Sequence, residues 1–337
     1  MDDVRCFTTL NSKVILFDGG IESGPENLGG YRGKETMART QRFLLLASLL
    51  AAATTPAFGQ GAVPPTSAPD FSGQWGRYFS FAFEPPASGP GPVRNIAGLP
   101  RADVGLRVGD YKNPILKPKA ADVVKKRGEM ELTGASFPDP RNQCRPEPPP
   151  FILGLEFEIQ ILQREDKIDI LYVYGQQVRH IRLNASHPVT PTPSWYGDSV
   201  GHFEGDTLVV DTVGFRVGPL SMVDIYGTPH SEALHLVERY RLVERQSAVQ
   251  SLKQLEGEKR LVVGGTVAGI TDPKDKSQAL QVQFTVEDNN VFTMPWSAAV
   301  TYLRDTAPWL EVACGENNGF SFSLDPAGFP HADKPDF

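Results

Sequence analysis

The chain is short of several things that large functional classes need. It has only three cysteines in 337 residues, Cys6, Cys144 and Cys314, and no surplus of positive charge. With 33 Lys+Arg against 40 Asp+Glu the net charge is −7, which argues against a broad nucleic-acid or anionic-membrane footprint. No G-x-G-x-x-G or Walker loop is present. That counts against nucleotide-dependent enzymes. No internal repeat is found. What the chain has in quantity is 32 Gly and 29 Pro beside 40% apolar residues, a composition that suits a turn-rich β protein better than a helical bundle.

Residues 37–60 read MARTQRFLLLASLLAAATTPAFGQ. Arg39 and Arg42 form a basic start, Phe43–Ala53 an apolar run, and Ala57 with Gly59 the small residues of a signal-peptidase site. The eleven-residue run is too short for a transmembrane anchor, which needs roughly 20. No cysteine follows the cleavage point to take a lipid. Residues 37–59 are therefore expected to be a signal peptide, residues 1–36 a mis-called extension before the true initiator Met37, and the product periplasmic or secreted. Removing residues 1–59 leaves 278 residues with the charge unchanged, and only Cys144 and Cys314. In an oxidising compartment the even count favours a disulfide over two buried free thiols. A Cys/His nucleophile is not expected.

In the mature chain, 60–70 reads as a flexible leader and 71–318 as one domain. Residues 84–115 and 133–150 are Pro- and Gly-rich loops. Pro118–Leu132 is the one predicted helix, with Pro118 in its first turn. Beyond it the apolar period is 2. Phe157, Ile159 and Ile161 alternate with polar residues, as do Ile168, Ile170, Tyr172 and Tyr174. Val178–Leu183 follows, and 200–215 is a hairpin about Glu204-Gly205-Asp206. Ser231–Leu242 reads as a strand, 243–278 as a polar insertion with a short strand inside LVVGGTVAGI, and Leu280, Val282, Phe284 and Val286 as a further strand. Met294–Leu303 and Leu310–Cys314 end the sheet, and 319–337 is a loose tail. About ten strands joined mostly as hairpins predict an antiparallel meander barrel with one helix and long loops; a β-sandwich is the alternative.

The stretches DFSGQW, SWYGDSVGHFEGDTLVVDTVGF, PHSEALHLVERYR, FTMPW and LEVACGEN, in this order over roughly 70–318, resemble an uncharacterised family of exported bacterial β-rich proteins. The resemblance implies export, a β-rich fold and pairing of Cys144 with Cys314. The chain departs from the family pattern in its 243–278 insertion and in Gly315. Gly73-x-Trp75 is also similar to the lipocalin signature, in which the Trp closes one end of a barrel, so a calycin-like barrel is expected.

All six histidines lie in the mature chain, and the densest cluster is His230-x-Glu232-x-x-His235-x-x-Glu238. Its spacing does not gather a metal site on a helix or a strand, and no metal or other cofactor is expected. His202 and Asp211 flank the 204–206 turn, and His230 with Glu232 opens the next strand. These four are the candidate acid/base and orienting groups if a His–carboxylate pair faces inward. Trp75, Tyr172, Tyr174, Trp195, Tyr240 and Trp296 are candidates to line an apolar cavity, although aromatics in β proteins are more often core. The leading expectation is a barrel that binds a small, largely apolar molecule. A cofactor-independent lyase, hydratase or isomerase on the same barrel, and a structural envelope protein, are the alternatives; neither a nucleic-acid partner nor a membrane span is expected. The denatured mass of protein recovered from its host should begin at Gln60 and fall about two daltons short of the reduced chain, as one disulfide requires. An earlier start or two free thiols would refute the respective expectation.

Overall fold

In the computed structural model residues 68–77, 83–98, 106–155, 157–258 and 275–306 are described, together with 308, 309, 312 and 314. The expected signal peptide, the 261–270 strand, most of the 310–314 strand and the 319–337 tail lie outside these residues. Nine strands close into a barrel: β1 (Gly73–Gly76), β2 (Ile159–Gln163), β3 (Lys167–Tyr172), β4 (Gln177–Leu183), β5 (Asp198–Glu204), β6 (Thr207–Val213), β7 (His235–Glu244), β8 (Gln278–Glu287) and β9 (Trp296–Arg304). Each pairs with its sequence neighbour, and β1 with β9 completes the ring through Trp75↔Arg304. The sandwich alternative is thereby excluded. All pairs are antiparallel except β4 with β5, which run parallel in the register Ile181↔Ser199.

The alternation seen in the sequence sets the wall. Leu280, Val282, Phe284 and Val286 of β8 are buried, while Gln281, Gln283 and Thr285 sit on the other face. The β5–β6 hairpin turns in two residues, with Glu204 opposite Thr207. Gly205 stands there at φ +61°, a left-handed conformation that glycine takes without a Cβ penalty. β7 and β8 pair over ten residues, from His235↔Glu287 to Glu244↔Gln278. In the segment between them Arg245–Gly257 forms a second helix, α2, which the sequence reading did not expect. Ala248, Val249 and Leu252 pack on Ala279 and Leu303 outside the barrel. The expected helix is α1, Pro118–Leu132. It buries Ala120, Val124, Gly128 and Glu131 at intervals of three and four.

Strand directions define two ends. The lower end carries the β5–β6 turn and is plugged by Phe71, which stacks on Phe203 with centroids 6.3 Å apart. The Trp75 indole N–H donates to the Phe71 carbonyl at 2.9 Å, and the Arg304 guanidinium lies 4.0 Å over the Trp75 ring while donating to the Ser72 carbonyl at 2.7 Å. The Trp of Gly73-x-Trp75 thus helps to close one end. The upper end carries the β3–β4 connection and the long loops.

The upper half of the interior is polar. Arg179 of β4 and Glu238 of β7 are fully buried and joined by two hydrogen bonds of 2.9 and 2.5 Å. Arg179 also donates to Ser199 at 3.2 Å and Thr212 at 2.8 Å, and the Tyr240 hydroxyl donates to Glu238 at 2.9 Å. Burial opposes the charge on Arg179, but attraction and hydrogen bonding from Glu238 outweigh it and hold the guanidinium protonated. Removing one partner strands the other. Glu238→Ala is expected to cost about 3–5 kcal/mol in urea unfolding, and Arg179→Met with Glu238→Leu to recover most of that loss.

Candidate functional site

Over the upper end runs the loop from Asp139 to Pro150. Its base is tied by reciprocal bonds: Asp139 N–H donates to the Asn142 side chain and Asn142 N–H to the Asp139 carboxylate, each at 2.9 Å. Arg107 pairs with Asp139 and, at 2.8 Å, with Glu131 of α1. Cys144, at φ +46°, is bonded to Cys314 across 170 residues of sequence, with Cα atoms 5.6 Å apart. The pairing expected of the two cysteines is thus present.

Three residues further on, Glu147 is turned inward and is 1% exposed. Its backbone N–H donates to the Gln177 Oε1 at 3.1 Å, and its carboxyl Oε2 accepts from the Gln177 Nε2, so the first residue of β4 grips the loop at both ends of one amide. Burial pushes the Glu147 carboxyl up to about 8, against the opposing effects of Gln177 and of the Arg141 charge. At neutral pH it is therefore mostly protonated. Beside it opens a cavity of about 370 Å³ lined by Arg145, Pro146, Glu147, Gly175, Gln176 and Gln177, and closed by Val312 and the disulfide. Tyr196, just before β5, has a buried hydroxyl with no hydrogen-bond partner among the described residues. Burial, then the proximity of Glu147 and Tyr172, pushes it well above the usual phenol range. Tyr172 itself is pushed up to about 12 by burial, with Arg179 drawing it back. Glu147, Tyr196, Tyr172 and the Arg179–Glu238 pair thus form a polar column running from the mouth into the barrel.

The four residues singled out as acid/base candidates are not brought together. His202 is on the outer wall, exposed, 3.2 Å from Glu204. The register places it opposite Val209, and Asp211 opposite Val200, so the two do not face each other across the hairpin. Asp211 also points outward, bonded through one oxygen to His187 at 2.9 Å and through the other to His235 at 3.0 Å. His187 is held in turn by Asp198 at 2.6 Å. His230 is buried in the loop before β7, with Nδ1 3.1 Å from the Ser231 carbonyl and its ring edge-on to Phe215; burial pushes its pKa down. Glu232 is exposed. β7 begins only at His235, so His230 and Glu232 do not open the strand as expected. The inward carboxylate of β7 is Glu238, and its partner is an arginine, not a histidine. Among the described residues no three His, Cys, Asp or Glu side chains form a group able to hold a metal.

Four of the six expected ligand-binding aromatics, Trp75, Tyr172, Tyr240 and Trp296, are buried in the core. Trp296 packs edge-on to Phe284 and Phe292. Tyr174 leaves β3 for the turn above it and lies against Phe157, centroids 4.6 Å apart, and Trp195 is half-buried beneath Arg216. None of the six lines the mouth cavity. The residues that the sequence reading passed over are Glu147, Arg179 and Glu238. For the last two a signal existed: Arg179 is in phase with Ile181 and Leu183, and Glu238 with Leu236 and Tyr240, so period-2 alternation alone turns both inward. Glu147 had none, being one polar residue in a run of prolines.

No protein-family model, curated protein or solved structure matches this chain.

Because the Glu147 pKa is raised in the folded protein, its contribution to stability is complete below about pH 4.5 and is lost as pH climbs to about 8. Relative to Glu147→Gln, the wild type should lose stability across that window at a slope approaching 1.4 kcal/mol per pH unit. Urea midpoints measured at intervals from pH 5 to 8.5 check this. Asp224, raised to about 6 by burial, is present in both proteins and cancels in the difference. Parallel curves would mean that Glu147 ionises freely.

Proposed function

We propose that the protein is an exported small-molecule-binding barrel whose ligand sits at the upper mouth, against Glu147. The observation that carries this reading is the cavity itself. It is within the size range of small-molecule sites, roughly 300–1,000 Å³. Its lining is rich in polar groups, Arg145, Gln176 and Gln177 among them, and one more is a carboxyl that the protein buries at a cost no structural partner fully offsets. Export is supported by the Arg39/Arg42–Phe43–Gly59 pattern, by the family resemblance and by the disulfide at the mouth. The polar lining shifts the expected ligand from a largely apolar molecule to one with a hydrogen-bonding head.

A second reading keeps the lyase or isomerase class but moves its acid. A carboxyl with a pKa near 8 is a competent proton donor at neutral pH, and Glu147 takes the place that His202, Asp211, His230 and Glu232 do not fill. An envelope interaction protein has less support: among the exposed large apolar residues described, Met130 and Leu132 share the end of α1, while Leu162, Val178, Val217 and Met294 stand on separate segments.

Native mass spectrometry of protein recovered from its host should show an excess of a few hundred daltons that disappears on denaturation and is absent from Glu147→Leu. An unliganded mass in the wild type would overturn the binding reading. Conversion of the released molecule by wild type, lost in Glu147→Gln while binding persists, would mark the protein as an enzyme.

A further inference from the structure

We infer that the mouth takes a small organic carboxylate, its anionic head accepting a hydrogen bond from Glu147 and facing the guanidinium group of Arg145, with Arg141 adding its charge from behind the lining. This assignment rests on the binding reading above and names the chemistry of its ligand. It starts from the two oxygens of one side chain. Oε2 of Glu147 is occupied by the Gln177 amide, whereas Oε1 carries no hydrogen bond among the described residues. Since Glu147 is almost fully enclosed yet borders the cavity, Oε1 is the oxygen left for a ligand. With Oε2 accepting, the carboxyl proton belongs on Oε1. The mouth therefore offers an O–H donor and needs an acceptor. Tyr196, behind the cavity lining, has a buried hydroxyl without a partner among the described residues.

Charge decides which acceptor. Three guanidinium groups surround the loop, from Arg107, Arg141 and Arg145. Arg107 is spent on Glu131 and Asp139. Arg141 reaches Asp139 only at 3.5 Å, and its Nε is buried without a partner among the described residues. Arg145 lines the cavity. Three cations thus stand over two carboxylates that are already paired, and Glu147 adds no charge while protonated. Among the described residues the surplus is one positive charge beside a mouth that donates hydrogen bonds, which favours an anion over a neutral carbonyl. Pro146, Val312 and the disulfide add apolar surface to the lining, suited to a compact apolar tail. The carboxylic acid is thus read by a shared proton and by Coulomb attraction together.

The same geometry fixes a pH dependence. The groups that face Glu147 are Arg141, Asp139 and Arg145 from its own loop, Tyr196 from the segment before β5, and the uncharged Gln177 of β4; the C-terminal residues described at the cavity, Val312 and Cys314, carry no charge. Once Glu147 ionises it both loses its donor and repels the ligand. Affinity should then fall about tenfold per pH unit above pH 8.

The test uses matched probes, 4-fluorobenzoate and 4-fluorobenzamide, whose ¹⁹F line widths report weak binding to the full-length mature protein. The acid should bind at pH 6.5, weaken at least tenfold by pH 9.5, and bind Glu147→Gln without that pH dependence, because the variant amide can still donate. The amide probe should bind at least tenfold more weakly at pH 6.5. Equal binding of both probes would overturn the carboxylate assignment and leave the binding site standing. Binding of the acid with the same pH profile in Glu147→Gln would place the head elsewhere and also overturn it. Binding of neither probe overturns it too; if the host-recovered protein then also proves unliganded, the binding reading falls with it.

Discussion

A closed ring of nine strands cannot reverse direction at every step, because alternation around an odd ring fails to meet itself. One parallel pair is forced, and here it falls between β4 and β5. Since β4 ends at the bottom of the barrel and β5 begins at the top, residues 184–197 must climb the full height of the wall instead of turning tightly. Much of what distinguishes the upper end follows from that climb. The returning segment brings His187 against Asp198 and Asp211 on the outer face, seats Trp195 beneath Arg216, and delivers Tyr196 to the mouth beside Glu147. A meander of eight strands would have replaced it with a short turn.

The interior is graded along its axis. Below, Ile161, Ile168, Ile181 and Leu208 are buried and the Phe71–Phe203 stack closes the end, an arrangement that gains from burial alone. Above, the Arg179–Glu238 pair is satisfied by Ser199, Thr212 and Tyr240. A buried pair of this kind is weak evidence for stability, since its desolvation offsets most of its attraction. Its effect is geometric: it locks strands β4, β5, β6 and β7 at one height and holds the wall against which Gln177 and the mouth loop are set.

The fold was legible where local chemistry and burial agree. The phase of Leu280, Val282, Phe284 and Val286 named β8, Pro118 marked the start of α1, and Glu204-Gly205-Asp206 marked the hairpin turn. α2 was missed because Arg245–Gly257 has few apolar positions and its buried face comprises little more than Ala248, Val249 and Leu252, a pattern too sparse to separate from a polar loop. The site was barely legible. Histidines draw the eye as titrating groups, yet His202 faces solvent and His230 is enclosed by Phe215 and a backbone carbonyl. Glu147, by contrast, acquires its chemistry from desolvation by elements remote in sequence, β4 and the C-terminal segment, and nothing local announces it. Even the inward phase of Arg179 gives only half of its meaning, since the partner lies 59 residues away on another strand.

The bridge between Cys144 and Cys314 and the closure of β1 on β9 share a property beyond their stabilising effect. Each joins parts of the chain that are far apart, 170 residues in one case and Trp75 to Arg304 in the other. The mouth is therefore among the last parts of the molecule that can exist. A growing chain that has reached β8 lacks both the strand that shuts the ring and the segment that walls the cavity. Folding must proceed through an open sheet with unpaired edges, a slow topology with exposed strands. A fully formed mouth is consequently a report that synthesis, ring closure and oxidation have all been completed.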